Sequence, residues 1–131
     1  MNLSGKVIVV TGGAQGLGLC IARALANEGA MLALVDLDQE KLKEAVALVE
    51  EAGGNARSYI ANVADESEVE SLFRDVATDF GQLNGVVNNA GILRDGMLVK
   101  AKDGKVTGKM ALAAWQPVID VNLTGVFLSL I

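Results

Sequence analysis

A short run of β-branched residues that passes directly into a string of glycines restricts this chain more than any other feature. Lys6-Val-Ile-Val-Val10 is too short for a helix and reads as a strand buried on both faces. Thr11-Gly-Gly-Ala-Gln-Gly-Leu-Gly18 follows and predicts a tight turn. Leu19, Ile21, Ala22, Ala24, Leu25 and Ala26 then predict a helix, stopped by Gly29 where a left-handed C-terminal cap belongs. Strand, glycine turn and helix together suit a phosphate. Without Cβ atoms at Gly12, Gly16 and Gly18, backbone amides can approach a pyrophosphate and the helix N-terminus faces the anion. The spacing Gly-x-x-x-Gly-x-Gly departs from the Gly-x-Gly-x-x-Gly fingerprint, so the surrounding elements must carry the inference.

Those elements repeat the pattern. Met31 to Val35 reads as a second buried strand ending in Asp36, and Asp38 can cap a helix carrying Leu42, Ala45, Val46 and Val49 before Gly53-Gly54. Ala56 to Ala61 predicts a third strand, and Asp65-Glu-Ser-Glu68 resembles a capping box. The helix it opens bears an apolar stripe of Val69, Leu72, Phe73, Val76, Ala77 and Phe80, closed by Gly81. A fourth strand is expected over Gly85 to Asn89. Alternating strands and helices with short links imply an open, doubly wound α/β fold with a parallel sheet, whose ligands sit at the carboxyl ends of the strands. The glycine loop, Asp36, Asn62-Val63 and Asn89-Ala90-Gly91 all fall at such ends.

Lys100 to Lys109 breaks the rhythm. Asp103-Gly104 is a tight-turn signal, so the segment predicts an exposed hairpin, and it holds four of the chain's eleven basic residues. It reads either as a plainly solvated hairpin or as a basic arm able to meet an anionic carrier or cofactor tail. Trp115 to Ile131 then predicts one helix with Pro117 in its first turn.

Composition removes several functions. Sixteen carboxylates against eleven bases, a net charge of -5, argue against a nucleic-acid surface. With no histidine and one cysteine, common zinc sites and the Ser-His and Cys-His nucleophile arrangements are excluded, and no metal is expected. Cys20 cannot form an internal disulfide and, among apolar helical neighbours, is expected to be buried. No apolar run is long enough to span a membrane and no signal profile opens the chain, so a cytoplasmic protein is expected.

Asp36 lies at a strand end, at roughly the distance past Gly18 where dinucleotide folds place an acid for the adenosine ribose. A carboxylate there repels a 2′-phosphate, and Leu37-Asp38 supplies no base, so NAD is favoured over NADP. The alternative for Asp36 is a turn or helix cap. Asn88 and Asn89, at the end of a strand expected to be buried, require hydrogen bonds. Asn122, a poor helix former in an apolar helix, either kinks it by bonding locally or serves a site.

Thr11-Gly-x-x-x-Gly-x-Gly18, Asn88-Asn-Ala-Gly91 and Val121-Asn-Leu-Thr-Gly125, in this order, resemble the N-terminal half of the short-chain dehydrogenase/reductase family. Asn89 to Asp95 is similar to its 3-oxoacyl-[acyl-carrier-protein] reductase branch. The resemblance implies a Rossmann-type three-layer α/β/α fold, strand order 3-2-1-4, with residues 1–131 as one incomplete dinucleotide-binding domain and residues 100–109 an inserted basic hairpin. It implies that Gly12, Gln15, Gly16, Leu17 and Gly18 contact the pyrophosphate side of a nicotinamide dinucleotide. Asp36, with Leu37 beside it, would hold the adenosine ribose, Asn62 and Val63 the adenine region, and Asn89, Ala90 and Gly91 the cofactor ribose. Asn122 would support the catalytic proton relay.

The family's serine and Tyr-x-x-x-Lys, which follow a fifth strand, have no match here. Tyr59, the only tyrosine, is placed on the third strand with Val63 where the lysine would stand. The chain is therefore expected to be truncated within the helix after the fourth strand and inactive alone. The full protein would be an NAD(P)-dependent oxidoreductase of a carbonyl/alcohol pair, acting on a small molecule or an acyl thioester, with no nucleic-acid or membrane partner and as a homo-oligomer. The alternative is a dinucleotide-binding module without chemistry.

Overall fold

A computed structural model describes residues 2–131. β1 (Val7–Thr11), β2 (Met31–Asp36), β3 (Asn55–Ile60) and β4 (Gly85–Val87) form a sheet in the order β3-β2-β1-β4. Every pairing in it is parallel, with Val9 opposite Ala33 and Val86, and Ala33 opposite Arg57. This is the doubly wound arrangement expected from the sequence.

Alternation along the strands builds two cores. Val10, Leu32 and Leu34 face α1 (Gly16–Asn27) and α2 (Gln39–Glu51), meeting Ala22, Leu42, Ala45 and Val49. Val7, Val9, Ala33 and Val35 point the other way and meet Leu72 and Val76 of α3 (Glu66–Phe80). Both faces are covered, which is why β1 and β2 are uninterrupted apolar runs. Asp38 caps α2 by accepting from the Lys41 N–H at 3.1 Å, and Gly81 closes α3 in the left-handed region at φ 75°.

β5 (Val99–Lys102) and β6 (Lys105–Lys109) form a separate antiparallel hairpin. The chain then enters α4 (Leu112–Ile119), a π-helical turn over Asp120–Thr124, and α5 (Gly125–Leu128). No helix among the described residues is long and apolar enough to cross a membrane.

Four expectations need correction. The last helix begins at Leu112 and not Trp115, so Pro117 lies beyond the first turn, and the π turn interrupts what was read as one helix to Ile131. β4 stops at Val87, because the Asn89 N–H turns back to the Val87 carbonyl (3.0 Å) instead of extending the ladder. Asn88 is accordingly exposed and meets solvent, where burial was expected. Cys20 is exposed too. It stands two positions from both Gly18 and Ala22, the buried residues of α1, hence about 200° around the helix from each.

The capping box is realised in altered form. The Asp65 carboxylate accepts from the Glu68 N–H at 3.0 Å and the Ser67 hydroxyl at 2.8 Å, while Glu68 reaches past the cap to the Asn62 N–H at 2.7 Å. The Glu68 N–H, then the Ser67 hydroxyl, hold the Asp65 carboxyl below its ordinary range. A carboxyl depressed by folding stabilises the fold above its unfolded value near about pH 4, and that contribution is lost as pH falls through the folded value. Urea denaturation across the acid range checks this: Asp65→Ala should lower the midpoint at neutral pH and flatten the loss of stability on acidification.

Candidate functional site

At the carboxyl ends of the strands a cleft of about 310 Å³ gathers most of the residues expected to bind a cofactor. Gly12 and Gln15 enter it from the turn after β1, and Asp36 and Leu37 from the end of β2. Asn62 and Val63 follow β3, and Asn89, Ala90 and Gly91 follow β4. Gly16, Leu17, Gly18 and Asn122 do not line it.

The glycines differ in what they do. Gly12 takes φ +64° and lies so close to Ala90 that a Cβ would stand 3.0 Å from its Cα. A Cβ on Gly18, buried at the start of α1, would overlap the Gly12 carbonyl oxygen and crowd the Asn89 amide at 2.6 Å. Gly18 thus lets helix and loop touch. Gly16 has φ +55° and open space around its Cβ position, so backbone conformation alone requires glycine there. Leu17 is exposed. No side chain caps the N-terminus of α1, unlike those of α2 and α3, leaving its first amides directed from the glycine turn.

Thr11 ties this loop to the end of β4. Its side chain, 2% exposed, is the buried polar group at the edge of the core. The hydroxyl donates to the Val87 carbonyl (3.3 Å) and accepts from the N–H groups of Asn89 and Ala90, each at 3.1 Å. One donor and two acceptor sites are therefore all in use. Asn89 completes the knot by donating both amide hydrogens, to the carbonyls of Thr11 and Gly12 at 3.1 Å each. The requirement that Asn89 be hydrogen-bonded is met, while Thr11 went unassigned in sequence. The available signal was a hydroxyl ending an apolar strand.

Asp36 is not the helix cap, since Asp38 fills that role, but the turn reading is met, the Asp38 N–H donating to its carboxylate at 3.5 Å. Its carboxylate accepts from the Leu37 N–H at 2.8 Å and, at 3.4 Å, from Ala14 of the glycine turn. It is the one ionisable side chain lining the cleft. Asn62 folds an Asx turn onto the Ala64 N–H (3.0 Å), and the Val63 carbonyl abuts Gly125, where a Cβ would meet it at 3.1 Å.

Asn122 sits in the π turn and grips the backbone of Ile92, accepting from its N–H at 2.8 Å and donating to its carbonyl at 3.0 Å. Of the two readings of this residue, its bonds run across to the loop after β4, not along its own helix. Ile92 and Val121 line the cleft and were not anticipated. Tyr59 lies elsewhere, on β3, donating to Asp79 at 2.8 Å. Burial, then that hydrogen bond and the Asp79 charge, raise its phenol above the ordinary value. It is unsuited to proton transfer near neutrality.

The sequence profile of the short chain dehydrogenase family matches residues 6–130. The chain is 36% identical over 127 residues to 3-oxoacyl-[acyl-carrier-protein] reductase FabG of Thermotoga maritima, covering 97% of this chain and 48% of that protein. It is 39% identical over 127 residues to 3beta-hydroxysteroid dehydrogenase 1 of Eggerthella lenta, covering 96% and 45%. The structure of NAD+-bound xylitol dehydrogenase matches with a TM-score of 0.84 at 35% identity, over 99% of this chain and 47% of that one. The chain spans about half the length of the curated relatives it matches.

The Thr11 knot is directly testable. Thr11→Val keeps the shape but leaves buried groups unpaired and should cost about 1–3 kcal/mol in urea denaturation. Thr11→Ser, which keeps the hydroxyl, should cost less and preserve slow exchange of the Asn89 and Ala90 amides.

Proposed function

Because the chain belongs to the short chain dehydrogenase family, we propose that its cleft holds a nicotinamide adenine dinucleotide for the oxidation or reduction of a carbonyl/alcohol pair. The observation that carries this reading is the convergence of an uncapped helix N-terminus, a glycine turn and the Asp36 carboxylate on one cleft. These residues fit the group. The α1 amides suit a pyrophosphate, with Gly16, Leu17 and Gly18 at the helix start and Gly12 and Gln15 on the cleft wall. Asp36 suits a ribose diol, whose hydroxyls donate to a carboxylate. Asn62 and Val63 would flank the adenine, and Asn89, Ala90 and Gly91 the second ribose.

When bound, the dinucleotide supplies or accepts a hydride. The chain's own part is to bind and orient. In this reading Asp36 is taken up by the adenosine ribose, and Tyr59 is committed to Asp79, so neither serves as proton donor to a carbonyl. Asn122 acts as a positioning residue, fixing Ile92 on the cleft wall. The substrate belongs to the carbonyl/alcohol class, and a 3-oxoacyl thioester is one candidate, supported by the similarity to FabG. Self-association is part of the proposal, supported by exposed Leu112, Trp115, Leu123 and Phe127 on the C-terminal helices. A cytoplasmic setting is supported by the single cysteine.

Fluorescence titration with NADH and NADPH tests the reading. Asp36 repels a 2′-phosphate, so NADH should bind more tightly, and Asp36→Ala should narrow the gap by about tenfold, equivalent to about 1.4 kcal/mol. A tenfold preference of the unaltered protein for NADPH contradicts the assignment of Asp36, and binding of neither dinucleotide contradicts the function.

A further inference from the structure

The β5–β6 hairpin is not absorbed by the dinucleotide site. It packs its base against the loop after β4, and together they form a groove of about 440 Å³ whose lining includes Leu93, Arg94, Met97, Lys100, Lys109 and Met110. The groove is amphiphilic. Leu93 and Met97 are 78% and 63% exposed, and beside them stand three cations against one carboxylate, Asp95. A second hollow shares Leu93, Arg94 and Met110 and extends this surface to Trp115 and Val118. Leu93 directly follows Ile92, which lines the cleft at the strand ends, so one loop contributes to both.

The hairpin's charges face solvent. None of its lysines is ion-paired among the described residues. At its base Lys100 and Lys109 line one groove with Arg94, like charges that an anion brought among them would offset, while Lys102 and Lys105, opposite each other at the tip, lie outside that groove. An extended polyanion such as nucleic acid or an acidic membrane would also meet the rest of a chain whose net charge is -5. A small anion does not.

We infer that the base of the β5–β6 hairpin is a specificity groove for amphiphilic molecules that join an apolar body to a carboxylate or phosphate, with Lys100, Lys109 and Arg94 holding the anionic group over Leu93, Met97 and Met110. Calling that molecule the substrate rests on the proposed function; the groove's binding preference does not.

Calorimetric titration of the full chain with octanoate, octyl phosphate and octan-1-ol tests the inference, with NADH titrated into the same samples. Octanoate and octyl phosphate should bind and octan-1-ol bind at least about tenfold more weakly, the ionic affinities alone falling as salt is raised. The tighter of the two anions identifies the acid or the phosphate ester as the source. Lys100→Ala with Lys109→Ala should weaken octanoate about fivefold to tenfold, and Lys102→Ala with Lys105→Ala, at the tip, less than about twofold. Equal losses in the two variants, octan-1-ol binding as tightly as octanoate, or no binding of any probe would overturn it. Loss of NADH binding with octanoate binding intact strikes the proposed function alone, and the reverse strikes this inference alone.

Discussion

The hydroxyl of Thr11 holds the cleft in register. It sits at the last residue of β1 and bonds the last carbonyl of β4 and two backbone N–H groups just beyond it, which ties the loop that begins at Asn88 to the glycine turn. Asn89 returns two bonds to Thr11 and Gly12. The carbonyl of Gly12, bonded in this way, is the same atom that leaves no room for a side chain on Gly18. Removing the hydroxyl therefore disturbs the glycine turn and the loop after β4, both of which line the cleft, together with the start of the helix packed on that turn. A buried network of this kind is stabilising only when all members are satisfied, as they are here.

Around that knot, further contacts fix the loops of the cleft. Glu68 fixes Asn62 from the first turn of α3, Gly125 admits Val63, and Asn122 clasps Ile92 from the π turn. Each of the loops after β3 and β4 is thus held by an element later in the chain. The hairpin alone stands outside this scheme, with its lysines turned to solvent and its base against Leu93 and Met110.

The layers were legible because hydrophobic periodicity is local, whereas the strand order followed only from the family resemblance. Val7 to Val10 and Leu32 to Val35 announce burial on both faces, and the stripe of Val69, Leu72 and Val76 announces one helix face. The cleft was legible for the same reason: its residues lie at strand ends, and strand ends are marked by where apolar runs stop. Illegible were properties set by partners distant in sequence. Thr11 looks like any strand-terminal threonine until Asn89 is brought to it, 78 residues away. The bonds of Asn122 to Ile92, 30 residues away, are likewise invisible along its own helix. Cys20 failed for a simpler reason, since apolar neighbours along a helix do not say which face is covered.

The central claim is that the strand ends and the glycine turn bind one dinucleotide as a unit. Amide hydrogen exchange of the chain with and without saturating NADH tests it most directly. Joint protection of Gly12 to Leu19, Asp36 to Asp38, Asn62 to Val63 and Asn89 to Ile92 is the predicted result. Protection absent from these four segments, or confined to the groove between α2 and α3 that Ser58 and Ser71 line, would contradict it.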